Sequence, residues 1–291
     1  MATLAACSTQ NGSLIEPAPF SLSRTSRTQT DTVTRGVLTG SATPSPEASG
    51  RFLGSNETRG DSTITAPTVF QPAPDRDLFR LASQLIPSIP EGIPRVVNAQ
   101  SPNYTAGRTD EFWLIDLEDL QVYQRPFELK LVTPHAYWYV EEGQKAALAD
   151  LKRSAMVFEE TIYPRITSAF GEEWIPGVDN DPRLNILNGR LHGAAGYYSS
   201  SDEYPEAVSP YSNQREIIYV NVAAYAVDSQ NYLEVLAHEL QHAVHWRADP
   251  TEETWINEGL AELATTIAGY HPDSIHRFLA SPPTSVVHWP V

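Results

Sequence analysis

The sequence predicts an α+β fold: a small mixed sheet, a helix carrying a candidate active site, and more helix after it. Three observations carry that expectation. Short segments rich in aromatic and β-branched residues, bounded by turn formers, recur between positions 110 and 222. Apolar residues at helical spacing occupy 143–170, 229–246 and 254–268. The second of these helices contains His238-Glu239-Leu240-Gln241-His242, and the third contains Trp255-Ile256-Asn257-Glu258-Gly259-Leu260-Ala261-Glu262.

In chain order, Asp110–Leu120, Phe127–Thr133 and Ala136–Glu141 read as strands. Between Gly143 and Phe170, the residues Ala147, Leu148, Leu151, Ala155, Phe158, Ile162 and Ile166 mark one face of a helix that Pro164 interrupts. Arg183–Asn188 and Glu216–Val222 read as two further strands. The segment between them, with Gly193, Gly196, three serines at 199–201, Asp202 and Glu203, reads as a long loop of the kind that forms lids and binding surfaces. The helix that follows runs from about Ser229 to Trp246, with Leu233, Leu236, Ala237, Leu240 and Val244 on the side opposite the two histidines. The last helix starts near Thr254 and ends near Ala268.

The chain has 291 residues and a formal net charge of −16. Residues 1–66 hold five Arg and five Asp/Glu, so the acidic excess lies wholly in 67–291. Nothing there would neutralise phosphates, which argues against a nucleic-acid partner. No stretch approaches the ~20 apolar residues of a membrane span.

The only cysteine is Cys7, which leaves no disulfide framework and no cysteine metal site. Leu4-Ala5-Ala6-Cys7-Ser8 resembles the site at which bacterial lipoprotein signal peptides are cut and lipidated. The expected organisation is therefore a signal-peptide remnant at 1–7 with a lipid anchor at Cys7, a disordered Ser/Thr/Pro-rich tether at 8–66, a small β-rich region at 67–141, and a catalytic domain at 142–291. About 30 residues follow Glu258, so a domain truncated at its C-terminus is one reading. The expected location is extracellular or at the bacterial cell surface.

The histidine pair gives the chemistry. Positions i and i+4 differ by about 40° around a helix and about 6 Å along it, so both imidazoles can reach one ion. Glu239, one step round, can touch a water on that ion without binding the ion itself. A catalytic zinc site needs three protein ligands and one open position. His238 and His242 leave one ligand to find, and Glu258 is the best candidate.

The order of strands, His-Glu-x-x-His helix and Asn-Glu helix resembles the gluzincin metallopeptidases, the thermolysin-like clan. It is nearest to the hyicolysin-like secreted bacterial peptidases. The resemblance rests on residues 236–242 and 255–262 and covers roughly 140–270. It implies a zincin-like fold and one catalytic Zn2+ held by His238, His242 and Glu258, with no implication about additional Ca2+. It also implies Glu239 as general base and Glu262 hydrogen-bonded to a ligand imidazole. The thermolysin pattern further implies that the strand before the zinc helix edges the cleft, so that Asn221, Val222 and Ala223 would meet an extended peptide. Tyr270 and His271 are candidates by position for a stabiliser of the oxyanion.

Metzincins place Gly and His at the positions here held by His245 and Ala248, so that class fails. The Gly-x-Met-Glu-Asn motif that binds a free substrate amine is absent, and only fifteen residues separate His242 from Glu258. The expected activity is thus a zinc endopeptidase acting on peptides or proteins. A zinc aminopeptidase, or an inactive zinc-binding surface module that holds peptides or partners, are the alternatives.

Overall fold

In a computed structural model of the chain, the residues described are 4–7, 78–86 and 92–271. The tether expected at 8–66 lies outside them, as do residues 272–291. The fold is mixed α+β, built on one seven-stranded sheet. Its strands are β1 (Leu4–Cys7), β2 (Thr109–Asp116), β3 (Gln121–Val132), β4 (Ala136–Glu141), β5 (Leu184–Gly189), β6 (Gly196–Ser199) and β7 (Ile217–Asn221). In space they run β1-β6-β7-β5-β4-β3-β2. The centre, β4-β5-β7, is parallel, and every other neighbouring pair is antiparallel.

Side chains alternate across the sheet, as a period of two requires. Trp138, Ile186, Ile218, Val220 and Tyr198 face the helices, where they join the apolar sides of α2 (Leu148–Val157), α3 (Tyr163–Phe170), α4 (Gln230–Ala248) and α5 (Thr254–Ala268). Their neighbours Tyr137, Tyr139, Leu187, Tyr219 and Tyr197 face the other way and pack with Phe112, Leu114, Phe127 and Leu129 of β2 and β3. The sheet curls far enough for the Ile115 amide of β2 to donate to the Tyr197 hydroxyl of β6 (3.2 Å). β2–β4 thus belong to the same sheet as β5–β7, and the expected boundary at 141/142 falls next to a strand that pairs in parallel with β5. One helix, α1 (Leu78–Leu85), lies in the stretch read from sequence as β-rich.

The helix broken by Pro164 survives as a continuous run. A π-helical turn, Phe158–Ile162, joins α2 to α3, and the widened turn accommodates Pro164, which has no N–H to continue the ladder, in the first turn of α3. Phe158 in that turn packs edge-on against Trp138 (ring centroids 5.6 Å, 89°).

The segment expected as a long loop is in part a strand. Gly196–Ser199 is β6, paired antiparallel to β7, and all four residues are buried. Ser200–Glu203 follows as a 3-10 turn. With β6 alongside, β7 is an interior strand rather than an edge. The amides of Asn221, Val222 and Ala223 donate to Ala195 O (2.8 Å), Gly189 O (2.9 Å) and Asn221 Oδ1 (3.1 Å). These three amides are engaged within the fold and are not offered to a substrate.

Candidate metal centre

Two helices build the centre. α4 begins at Ser229, whose side chain accepts from the Tyr232 amide (3.3 Å) as an N-cap. Its apolar face seats Leu236, Ala237, Leu240, Ala243 and Val244 in the core. The Tyr232 hydroxyl donates to Asn188 Oδ1 (2.6 Å), and Asn188 Nδ2 donates to Tyr139 O (2.8 Å), so α4 is bonded to the sheet one and a half turns before His238. α5 ends at Gly269, whose φ of +105° is the left-handed conformation that a closing glycine supplies. Ala261, Ala264 and Ala268 are small enough to bring α5 close to its neighbours.

Between these helices stand His238, His242 and Glu258, with one ligand atom from each lying within 4.8 Å of the others. Glu258 Oε2 is 3.3 Å from His238 Nε2 and 3.9 Å from His242 Nε2. The two imidazoles are buried, their centroids 4.8 Å apart and their planes at 75°. Both Nε2 atoms are buried without a hydrogen bond of ordinary geometry. Three donors each 2.0–2.1 Å from a tetrahedral centre stand about 3.3 Å from one another. The spacing and the nitrogen-nitrogen-oxygen donor set therefore suit a divalent metal ion, and the unbonded Nε2 atoms are what such an ion would engage.

The remaining ring nitrogens are oriented from α5. His242 Nδ1 lies 3.0 Å from Asn257 Oδ1. Because that oxygen only accepts, Nδ1 carries the proton and the Nε2 lone pair is free. His238 Nδ1 faces Glu262 Oε1 at 4.0 Å. Glu262 thus stands beside the expected imidazole, at ion-pair rather than hydrogen-bond distance.

The electrostatics separate the two histidines. Burial disfavours a charged His238, but the carboxylates of Glu258, Glu239 and Glu262 outweigh it and push its pKa up to about 9. His242 is driven down to about 4, chiefly by burial, with the neighbouring His238 and His245 acting in the same direction. Burial also opposes ionisation of Glu258, and the two imidazoles override it and hold its pKa below the usual value.

Glu239 is fully buried. Its position depends on Gly196: a Cβ there would collide with Val235 Cγ1 and stand 2.9 Å from Tyr219 O and 3.2 Å from Glu239 Oε1. His245, a turn beyond His242, has Nδ1 3.3 Å from Gln241 Nε2 and stays outside the cluster.

Two expected residues fall elsewhere. Ala268 lies ten positions, about 15 Å of helix, beyond Glu258 on α5. Tyr270 lies past that end, its amide bonded to Thr265 O (3.1 Å), packed on the core near Arg165 and Glu234. His271 follows it, exposed. Neither joins the metal cluster. Asn257 and Gly196 are the residues that sequence reasoning did not assign. Asn257 was visible within the Trp-Ile-Asn-Glu string, whereas Gly196 carried no local signal.

In comparisons with known proteins, no family model matches the chain and no curated protein is recognisably similar in sequence.

Proposed function

We propose that this protein is a zinc-dependent endopeptidase of the gluzincin kind, with a zincin-like fold. The single observation that carries this reading is the convergence of His238, His242 and Glu258 from two helices, with Glu239 buried beside them. A zinc ion held there would supply Lewis acidity toward a peptide carbonyl and bring a water pKa down to about 7. The protein residues supply the rest. Glu239 accepts a proton from the attacking water and delivers it to the departing amine nitrogen. Asn257 keeps His242 in the tautomer that presents Nε2. No covalent intermediate is required.

The test is cleavage of an unfolded protein substrate together with metal analysis. About one equivalent of zinc and chelator-sensitive cleavage at internal bonds are expected, the latter lost in Glu239→Gln with zinc retained. Full activity in Glu239→Gln would overturn the mechanism. Zinc bound with no cleavage of any peptide would favour an inactive binding module. Cleavage abolished by blocking the substrate amine would favour an aminopeptidase.

A further inference from the structure

The strand next to the metal centre is not left open. β6 is the strand of the sheet that passes Glu239, through Gly196, and its outer edge pairs with β1 from the other end of the chain. The pairing is antiparallel and covers the whole of β6: Leu4 opposes Ser199, Ala5 opposes Tyr198, Ala6 opposes Tyr197, and Cys7 opposes Gly196. β1 also lies against α4. The last pair of this ladder is therefore at the residue that abuts the proposed general base.

We propose that Leu4–Cys7 is a built-in occupant of the edge where an extended peptide would bind, and that it holds the enzyme self-inhibited. The proposal rests on the endopeptidase reading above. An exposed strand edge offers a row of N–H and C=O groups that pair with any extended backbone, with little regard to side chains. A segment of the same chain therefore competes with substrate for the same hydrogen bonds. Being part of the same chain, it does so intramolecularly, without the concentration dependence of a free peptide. Cleavage ahead of Cys7, the processing that the Leu4–Ser8 string resembles a signal for, would strip three of the four paired positions and open the edge.

The full chain is compared with an Ala5→Pro/Ala6→Pro variant. Adjacent strand residues alternate in which side their N–H faces, so one of these two prolines removes a donor to β6, and both are poor strand formers. A second variant lacking residues 1–6 guards against a folding effect of proline. Three quantities are read: hydrogen exchange of the Gly196–Ser199 amides, bound zinc, and kcat/KM on an unfolded protein substrate.

In both variants the Gly196–Ser199 amides that face β1 should exchange at least about tenfold faster while those that face β7 stay protected, zinc should be kept, and kcat/KM should rise about tenfold, mostly through KM. Unchanged exchange in both would overturn the placement of β1. Faster exchange with unchanged kcat/KM in an active enzyme would overturn the inhibition. Faster exchange in a protein that cleaves nothing before or after the change leaves β1 as the occupant and sinks the peptidase reading instead.

Discussion

Asn257 Oδ1 stands 3.0 Å from His242 Nδ1, one residue before the carboxylate that faces the same imidazole from its other side. The two neighbours on α5 thus address both nitrogens of one ring. Asn257 sets which nitrogen is protonated, and Glu258 Oε2 stands 3.9 Å from the other. Removing the amide by Asn257→Ala should lower zinc affinity about 10–100-fold, as loss of such an orienting partner does elsewhere. Competition against a chelator of known affinity measures it. An unchanged affinity would show that packing alone orients the ring.

Glu258→Ala should abolish stoichiometric zinc binding, because it leaves two ligands where three are needed. Glu262→Gln should cost less than Asn257→Ala, since Glu262 Oε1 is 4.0 Å from His238 Nδ1 and makes no hydrogen bond at that distance. The same chelator titration ranks the three variants, and a larger loss from Glu262→Gln than from Asn257→Ala would contradict the geometry.

Glu239→Gln should retain one zinc and lose peptidase activity by about 10²- to 10⁴-fold, the usual worth of a positioned proton-transfer group. Metal analysis and turnover on the same sample separate the two effects.

Gly196→Ala should destabilise the fold by about 1–3 kcal/mol, the usual cost of overpacking a filled interior. The added carbon has Val235, Tyr219 and Glu239 in its way. Urea denaturation gives the stability change. Activity should fall as well, because Glu239 is among the groups that must shift.

The buried carboxyls Asp202, Glu203 and Glu216 should contribute a loss of stability as pH rises from about 4 to about 8, opposed below about 6.5 by His242, whose pKa burial holds near 4. Burial pushes the Asp202 carboxyl up to about 7; burial, with the charges of Asp202 and Asp179, pushes Glu203 up to about 8; and burial, with the charges of Glu203 and Asp179, raises Glu216. Over this range these carboxyls hold protons in the native state that the unfolded chain, with ordinary carboxylate values near 4, has released, so their contribution to ∂ΔG/∂pH is negative. Glu216→Gln keeps an acceptor for the Val178 amide, which now donates to Glu216 Oε1 (2.7 Å), and it carries no charge. Its stability should decline less steeply over the same range. Denaturant midpoints of both chains at pH 5, 6, 7 and 8, in chelator, provide the comparison, and parallel slopes would refute it.

Helices and cross-sheet strands were legible where a local rule speaks. Ser229 announces α4 as a capping residue, and α5 spans the residues its apolar spacing marks, Thr254–Ala268. β4, β5 and β7 show in runs of apolar and aromatic residues. β6 was missed because glycine and serine surround two tyrosines, a composition that reads as loop. Its strand character comes from pairing with β7 and from burial, which are properties of the fold and not of the segment. The thermolysin pattern gave the cleft edge to the strand before the zinc helix, whereas β6 lies outside β7 and the amides of Asn221, Val222 and Ala223 are engaged within the fold. At the centre, helical spacing located His238, Glu239 and His242, and the Asn-Glu string located Glu258. Tyr270 and His271 were placed by sequence order alone, which says nothing of how far a helix carries its end.

The hydrogen bond from the Tyr232 hydroxyl to Asn188 has one last consequence. It fixes the roll and the height of α4 on a sheet whose own spacing hardly yields. The two imidazoles, both carried by α4, are thereby held against the sheet. An oversized guest such as Cd2+ should strain the helix-sheet joint as well as its own ligands, so Tyr232→Phe is expected to narrow the preference for zinc over cadmium without touching any atom of the centre.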